Sequence, residues 1–359
     1  MPSERVSYIP SLIDITHGPD PLILRPSPAR SIWNTIKHGV YHLWTLPLIV
    51  VPFQTATQTE YSELAMNRDN MISLFSQIGL FGLSALGYGG VVYACFWAPT
   101  IFTLLGLGAV TAGVRLISRP LNTGTTDGLL ESNVKLDGPS PAPGEKWFFI
   151  NGVTVGTHWL HHNLNLLSTI FRRPITGLQN PTKGLFLDLL ECILSRTFLY
   201  STSDTRAIHH ALKRALLDTA TSRVIIIAHS QGGIITSAVL EALFAELDED
   251  TLAKIEVYTF GCAAVRFLNP IRIDQNGRRR RTIEHIEHYA NELDFVSRVG
   301  VLRFAVSPRM LMKRQREDDE EIESLFVGKV FVRLGVMGHM LGQHYLEPMF
   351  LGEKVGGFW

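Results

Sequence analysis

The sequence predicts an α/β fold with a mostly parallel central sheet, preceded by an apolar helical N-terminal region. Three observations carry that expectation. From Lys146 onward, short β-favouring runs alternate with stretches of helical pattern, as in a parallel sheet covered by helices on both faces. The central runs, above all "RVIIIAH", are apolar throughout, which suits strands buried on both sides. Before that half of the chain, no Asp, Glu, Lys, Arg or His occurs between Met71 and Val114.

At the N-terminus, "MPSERVSYIPSLIDITHGPD" carries charges and prolines where a secretory signal needs an apolar run. No N-x-S/T sequon free of proline occurs, so an intracellular protein is expected. "GVYHLWTLPLIVVPF" (39–53) is short for a crossing and contains Pro47 and Pro52, so it reads as an interfacial or re-entrant piece. The uncharged run 71–114 is long enough for two crossings, since one needs roughly 20 residues. A hairpin turning near "GYGG" (Gly87 to Gly90) returns both ends to one side, and Arg68, Arg115 and Arg119 favour the cytosolic face. Its glycines resemble the small residues that let membrane helices pack closely. The competing expectation is a buried helical cap on a soluble domain.

"LNTGTTDGLLESNVKLDGPSPAPGEK" is rich in Gly, Pro, Ser, Thr and Asp, the composition of a connector. It divides an N-terminal region and linker (1–143) from a second domain (144–359). In that domain "KWFFINGV", "RVIIIAH", "KIEVYTFG", "IEHYAN" and "KVFVRLGV" read as strands, and "GLFLDLLECILSRTF", "RAIHHALKRALLDTA" and "GGIITSAVLEALFAEL" as helices. "DQNGRRRR" (274–281) and "KRQREDDEEIE" (313–323) read as solvated turns or helix ends.

Composition narrows the function. Lys plus Arg equals Asp plus Glu at 33 each, so no net field draws the chain to nucleic acid. Three scattered cysteines form neither a disulfide scaffold nor a zinc pattern.

The informative stretch is "SRVIIIAHSQGGIITSAVLEALF" (Ser222 to Phe244). A serine between a strand and an amphipathic run is a common helix cap. That reading leaves the small residues on either side, Ala228 and Gly232, unexplained. A sharp strand-to-helix elbow explains both, because it holds Ser230 in a strained conformation and crowds the flanking positions. Its usual form is G-x-S-x-G, with Ala228 here in place of the first glycine. The N–H of Gln231 then opens a helix, where donors and dipole favour an oxyanion.

A serine nucleophile needs a base, and the base an orienting acid. In such sheets these follow in the order Ser, Asp or Glu, His, each on a loop after a strand. Asp294 follows "IEHYAN", and His339 follows "KVFVRLGV", with His344 as its rival for the base. A second oxyanion donor is expected after "KWFFI", where Asn151 and Gly152 lead to the N–H of Val153. His158, His161 and His162 lack a Glu or Cys at ligand spacing, so wall or surface roles outrank a metal site. No cofactor and no metal are expected.

These segments resemble the α/β-hydrolase fold, and within it the lipase class 3 branch. "VIIIAHSQGGIITSAV" is similar to that branch's elbow, "VYTFGCAAVRF" to its T-F-G-S-P motif, and "YANELDFVSRVG" to its N-x-x-D-x-V-P segment. The resemblance covers 144–359 and implies Ser230 as nucleophile, Asp294 as acid and the Gln231 N–H in the oxyanion hole. Departures are Ala228 for glycine, Cys262 and Ala263 for Ser-Pro, and Ser297 for proline. The family's base is followed by a tyrosine a few residues on, which leaves both His339 and His344 open.

The expectation is a membrane-associated serine hydrolase acting on an ester of a lipid or another apolar acyl compound. The alternatives are an acyltransferase or tailoring hydrolase of a biosynthetic pathway, and, from another class, a non-catalytic membrane scaffold.

Overall fold

The computed structural model describes residues 6–9, 28–124, 128–136, 143–198, 202–273, 276–304 and 326–351. The charge-rich stretch 313–323 lies outside them. In chain order the elements before residue 144 are β1 (Val6–Ile9), α1 (Pro28–Tyr41), a 3-10 helix (Leu43–Val50), α2 (Arg68–Trp97), α3 (Thr100–Ser118) and β2 (Leu129–Glu131). Then come β3 (Glu145–Ile150), α4 (Thr157–Phe171), β4 (Ile175–Leu178), α5 (Leu185–Phe198), α6 (Ser203–Leu217), β5 (Arg223–His229) and α7 (Gln231–Glu246). The remaining strands are β6 (Ile255–Phe260), β7 (Ile271–Ile273), β8 (Arg279–Arg281), β9 (His285–Asn291) and β10 (Lys329–Arg333).

Eight strands form one sheet in the order β1-β10-β9-β6-β5-β3-β4-β2. Every pairing from β10 to β4 is parallel, and the two edge strands are antiparallel. The chain is therefore α/β with a mostly parallel central sheet, and both edge strands come from residues before 144. β7 and β8 make a separate hairpin, and "NGRRRR" at 276–281 leads into and forms its second strand.

The apolar runs seen in the sequence become the middle of the sheet because each strand is covered on both faces. Ile226, Ala228 and Ile150 pack with α6 and α7 through Leu212, Leu216, Val239 and Leu240. Ile225, Ile227 and Phe149 pack on the other side with α4 through Leu160 and Leu164. At about 25 cal/mol per Å² of apolar surface removed from water, these two layers are the main stabilising contribution.

α2 and α3 are long and apolar enough to cross a membrane, with few residues buried against the protein. Their hairpin turns at Ala98–Pro99, between Trp97 and Thr100, and not near Gly87 to Gly90, which lie inside α2. The physical reason is packing: a Cβ on Gly87 would stand 2.8 Å from Val110 of α3. That glycine marks a helix contact, while proline, lacking an N–H, marks the break. The stretch 39–53, expected to be interfacial, runs from α1 through the 3-10 helix to Phe53. It packs against the loop after β10, where Ile49 accepts from the N–H of His339 (2.8 Å).

Candidate active site

Ser230 sits at the junction of β5 and α7 with φ 56° and ψ −120°. That conformation costs a non-glycine residue about 1–3 kcal/mol, and the surroundings hold it. The Ser230 N–H donates to Phe260 O (3.0 Å), and its carbonyl accepts from Gly233 N and Ala263 N (3.1 Å each). Gly232 backs onto the Ile150 carbonyl, leaving no room for a side chain. Its neighbour Gly233 is packed on Cys262 in the same way. Ala228 is fully buried within the β3–β5–β6 ladder, and its methyl is accommodated there.

The Ser230 hydroxyl does not cap α7. It lies 2.9 Å from His339 Nε2, and His339 Nδ1 lies 2.8 Å from Asp294 Oδ2. With Nδ1 protonated, His339 donates to Asp294 and accepts from the serine hydroxyl. All three side chains are buried. They come from the C-terminal ends of β5, β9 and β10, the end at which parallel sheets gather their ligand-facing loops.

Asp294 is held by more than the histidine. Its Oδ2 also accepts from Tyr345 Oη (2.7 Å) and Ser297 Oγ (2.9 Å), and its Oδ1 accepts from Val296 N (2.9 Å). Burial alone would push this carboxyl up, but the charge and hydrogen bond of His339, with the Tyr345 and Ser297 donors, outweigh it and hold the group below its ordinary value. Ser297, which departs from the proline of the resembling motif, thus supplies a donor that proline lacks. Tyr345 is the tyrosine that follows both candidate histidines in the sequence, which did not show that its hydroxyl would reach Asp294.

His344 is placed elsewhere. Its Nε2 donates to Pro52 O (2.9 Å) and its Nδ1 accepts from Met340 N (3.0 Å). Burial pushes the ring down to about 4, with the charge of His339 acting in the same direction. Both nitrogens are occupied, so only His339 reaches Ser230.

The loop after β3 touches the serine: a Cβ on Gly152 would lie 2.6 Å from Ser230 Cβ. Val153 follows, and its N–H donates to no group among the described residues. Gln231 is the first residue of α7, so its N–H has no intrahelical acceptor. The Gln231 side chain is fixed by Asn180 Nδ2 (2.7 Å), and Asn180 is tied to Asn151 by a pair of hydrogen bonds. Thr154, at φ 61°, donates its N–H to Asp188 Oδ2 (2.9 Å), and Gln77 of α2 donates to its carbonyl (2.9 Å). The apolar hairpin is therefore bonded to the loop beside Ser230.

His158 meets Asn70 Oδ1 (3.1 Å), and His161 meets Asn165 (3.2 Å). His162 packs at a tilt against His158 and edge-on against Tyr61, and burial pushes it down to about 4. Among the described residues no group of three side chains is arranged to hold a metal. No protein-family model, curated protein or solved structure matches the chain.

Proposed function

We propose that this chain is a membrane-associated serine hydrolase of the α/β-hydrolase fold, cleaving an ester of a lipid or another apolar acyl compound. The observation that carries this reading is the relay from Ser230 Oγ through His339 to Asp294, on a serine held in a strained elbow.

In the proposed cycle, Ser230 Oγ attacks the ester carbonyl as His339 Nε2 takes its proton. Asp294 keeps the ring oriented and stabilises the imidazolium. The N–H groups of Gln231 and Val153 receive the oxyanion. The C–O bond to the alcohol then breaks, and His339 returns its proton to that alcohol. Water attacks the acyl-enzyme by the same route, releasing the acid and restoring the serine. An apolar substrate fits the exposed apolar helices that adjoin the site, because Gln77 ties α2 to the oxyanion loop.

The test is labelling by a fluorophosphonate probe of the full chain in detergent, comparing wild type with Ser230→Ala, His339→Ala and His344→Ala. Labelling is expected to vanish in the first, fall by at least a hundredfold in the second and persist in the third. Folded wild type that does not label would overturn the reading in favour of a non-catalytic scaffold.

A further inference from the structure

We propose that the α2–α3 hairpin enters a single leaflet of a lipid bilayer and does not cross it. The first half of α2 belongs to the protein body. Asn70, Ser73, Gln77, Leu80 and Ser84 form a buried stripe on it. Asn70 accepts from Trp159 Nε1 (2.9 Å), and Gln77 reaches Thr154 and Thr182. That half cannot lie in hydrocarbon without drawing the α/β body in with it.

Beyond Ser84 the helix is free. Leu86, Val92, Tyr93, Phe96 and Trp97 are exposed, as are Ile101, Phe102, Leu104 and Leu105 of α3, and the next buried residue of the hairpin is Val114. At 1.5 Å per residue, the run from Ser84 to Trp97 rises about 20 Å, and the run from Thr100 to Val114 about 21 Å. The hydrocarbon core is about 30 Å thick, so the free hairpin fills one leaflet and its headgroup layer but falls short of the far side.

Two further features fit that depth. Arg115 and Arg119 are exposed at the foot of α3 and, with Ser118, Asn122 and Thr123, line an open cleft there. With the tip immersed, these arginines stand at headgroup level, where they meet lipid phosphates. Around the base of the hairpin, α5 exposes Leu189, Leu190, Ile193 and Leu194, and α1 exposes Trp33, Ile36 and Val40. α1 and α2 both pack on α5, so these residues make an apolar collar that rests on the same leaflet. An exposed apolar surface of this extent is not left to water in a soluble monomer.

The native cysteines supply the test. Cys95 is exposed near the tip, Cys262 is buried and Cys192 is partly buried. Burial pushes both of the latter thiols up to about 11, leaving Cys95 as the reactive one. The full chain is reconstituted into sealed phosphatidylcholine–phosphatidylserine vesicles and exposed to a membrane-impermeant maleimide, outside or trapped inside. A Thr100→Cys, Cys95→Ala variant repeats the measurement at the tip itself. The expected result is flotation with the vesicles, no labelling at either position from either side, and labelling of both once detergent is added. Labelling from the side opposite the α/β body would show a crossing and overturn the proposal. So would failure to float, as when a second copy covers the hairpin in water. Fluorophosphonate labelling of the same samples reports on Ser230 separately, so loss of the hydrolase reading leaves the topology result standing.

Discussion

His229 Nε2–H donates to the carbonyl of His339 at 2.8 Å, and the two rings lie 4.6 Å apart. The residue preceding the candidate nucleophile thus grips the backbone of the candidate base. Its own Nδ1 is buried without a partner among the described residues. Burial pushes the ring down to about 3, with the charge of His339 adding to the effect, so His229 acts as a neutral donor. His229→Phe keeps the ring and removes the donor, leaving a buried carbonyl unpaired. The expected loss is about tenfold in fluorophosphonate labelling rate, equivalent to about 1.4 kcal/mol. An unchanged rate would mean that the loop holds His339 unaided.

Tyr345→Phe and Ser297→Ala each remove one donor from Asp294. Hydrogen bonds to a charged group contribute about 1.5–3 kcal/mol, so each variant should slow labelling by about tenfold or more. Their combination should fall short of the product of the two, because Tyr345 and Ser297 also lie 3.2 Å apart and share the carboxylate. Full additivity would argue against a shared network.

The buried histidines should cost the fold stability in mild acid, opposed in part by Glu63 and Asp188, whose carboxyls burial pushes up. His229, His288 and His344 are buried and pushed down to about 3, 4 and 4, burial being the largest cause in each. Their folded values lie below the unfolded value of 6.5, so between about 4 and 6.5 the unfolded chain binds more protons. Stability therefore falls as pH drops through that window, by at most about 1.4 kcal/mol per pH unit for each ring. Asp294, whose folded value is below 3.8, loses its contribution only at lower pH. Thermal melting from pH 7 to pH 5 should show the decline, with a shallower slope in His344→Gln.

From residue 144 onward, every parallel strand of the sheet but β4 was legible, because these strands are five to seven residues long, apolar and separated by helical patterns, whereas β4 has only four residues. β1 and β2 were not, since three or four residues at a sheet edge carry no periodicity of their own. Ser230, Asp294 and His339 could be placed by chain order, as each follows a strand that the pattern reveals. Chain order favours His339 as the base but leaves His344 as its rival. Both follow β10, and what separates them is a carbonyl at Pro52, a contact between distant parts of the chain. The hairpin turn was misplaced because glycine signals both turns and close helix packing.

The same distance in sequence hides how far the N-terminal segment shapes the site. Glu63 is buried, and its carboxyl accepts from Gly342 N (2.9 Å) and Gln343 N (3.2 Å). These N–H groups open the π-helical segment Leu341–Leu351 that follows His339. Burial pushes the Glu63 carboxyl up, while the unpaired donors at the start of the helix pull it the other way without outweighing the burial. Thr59 and Ser62 extend the tie by donating to Glu347 Oε1 (2.7 and 2.6 Å). Glu63→Ala would leave two buried donors unsatisfied, at about 1–3 kcal/mol each, and lower the melting temperature by several degrees. Glu63→Gln keeps one acceptor and should fall between that variant and wild type. Because the anchored turn begins at the base, fluorophosphonate labelling of folded Glu63→Ala should also slow at a temperature well below its melting point. A variant that melts lower but labels at the wild-type rate would make Glu63 a brace for the fold alone, and one unchanged in both would show that the N-terminal segment rests on the α/β body without holding the site.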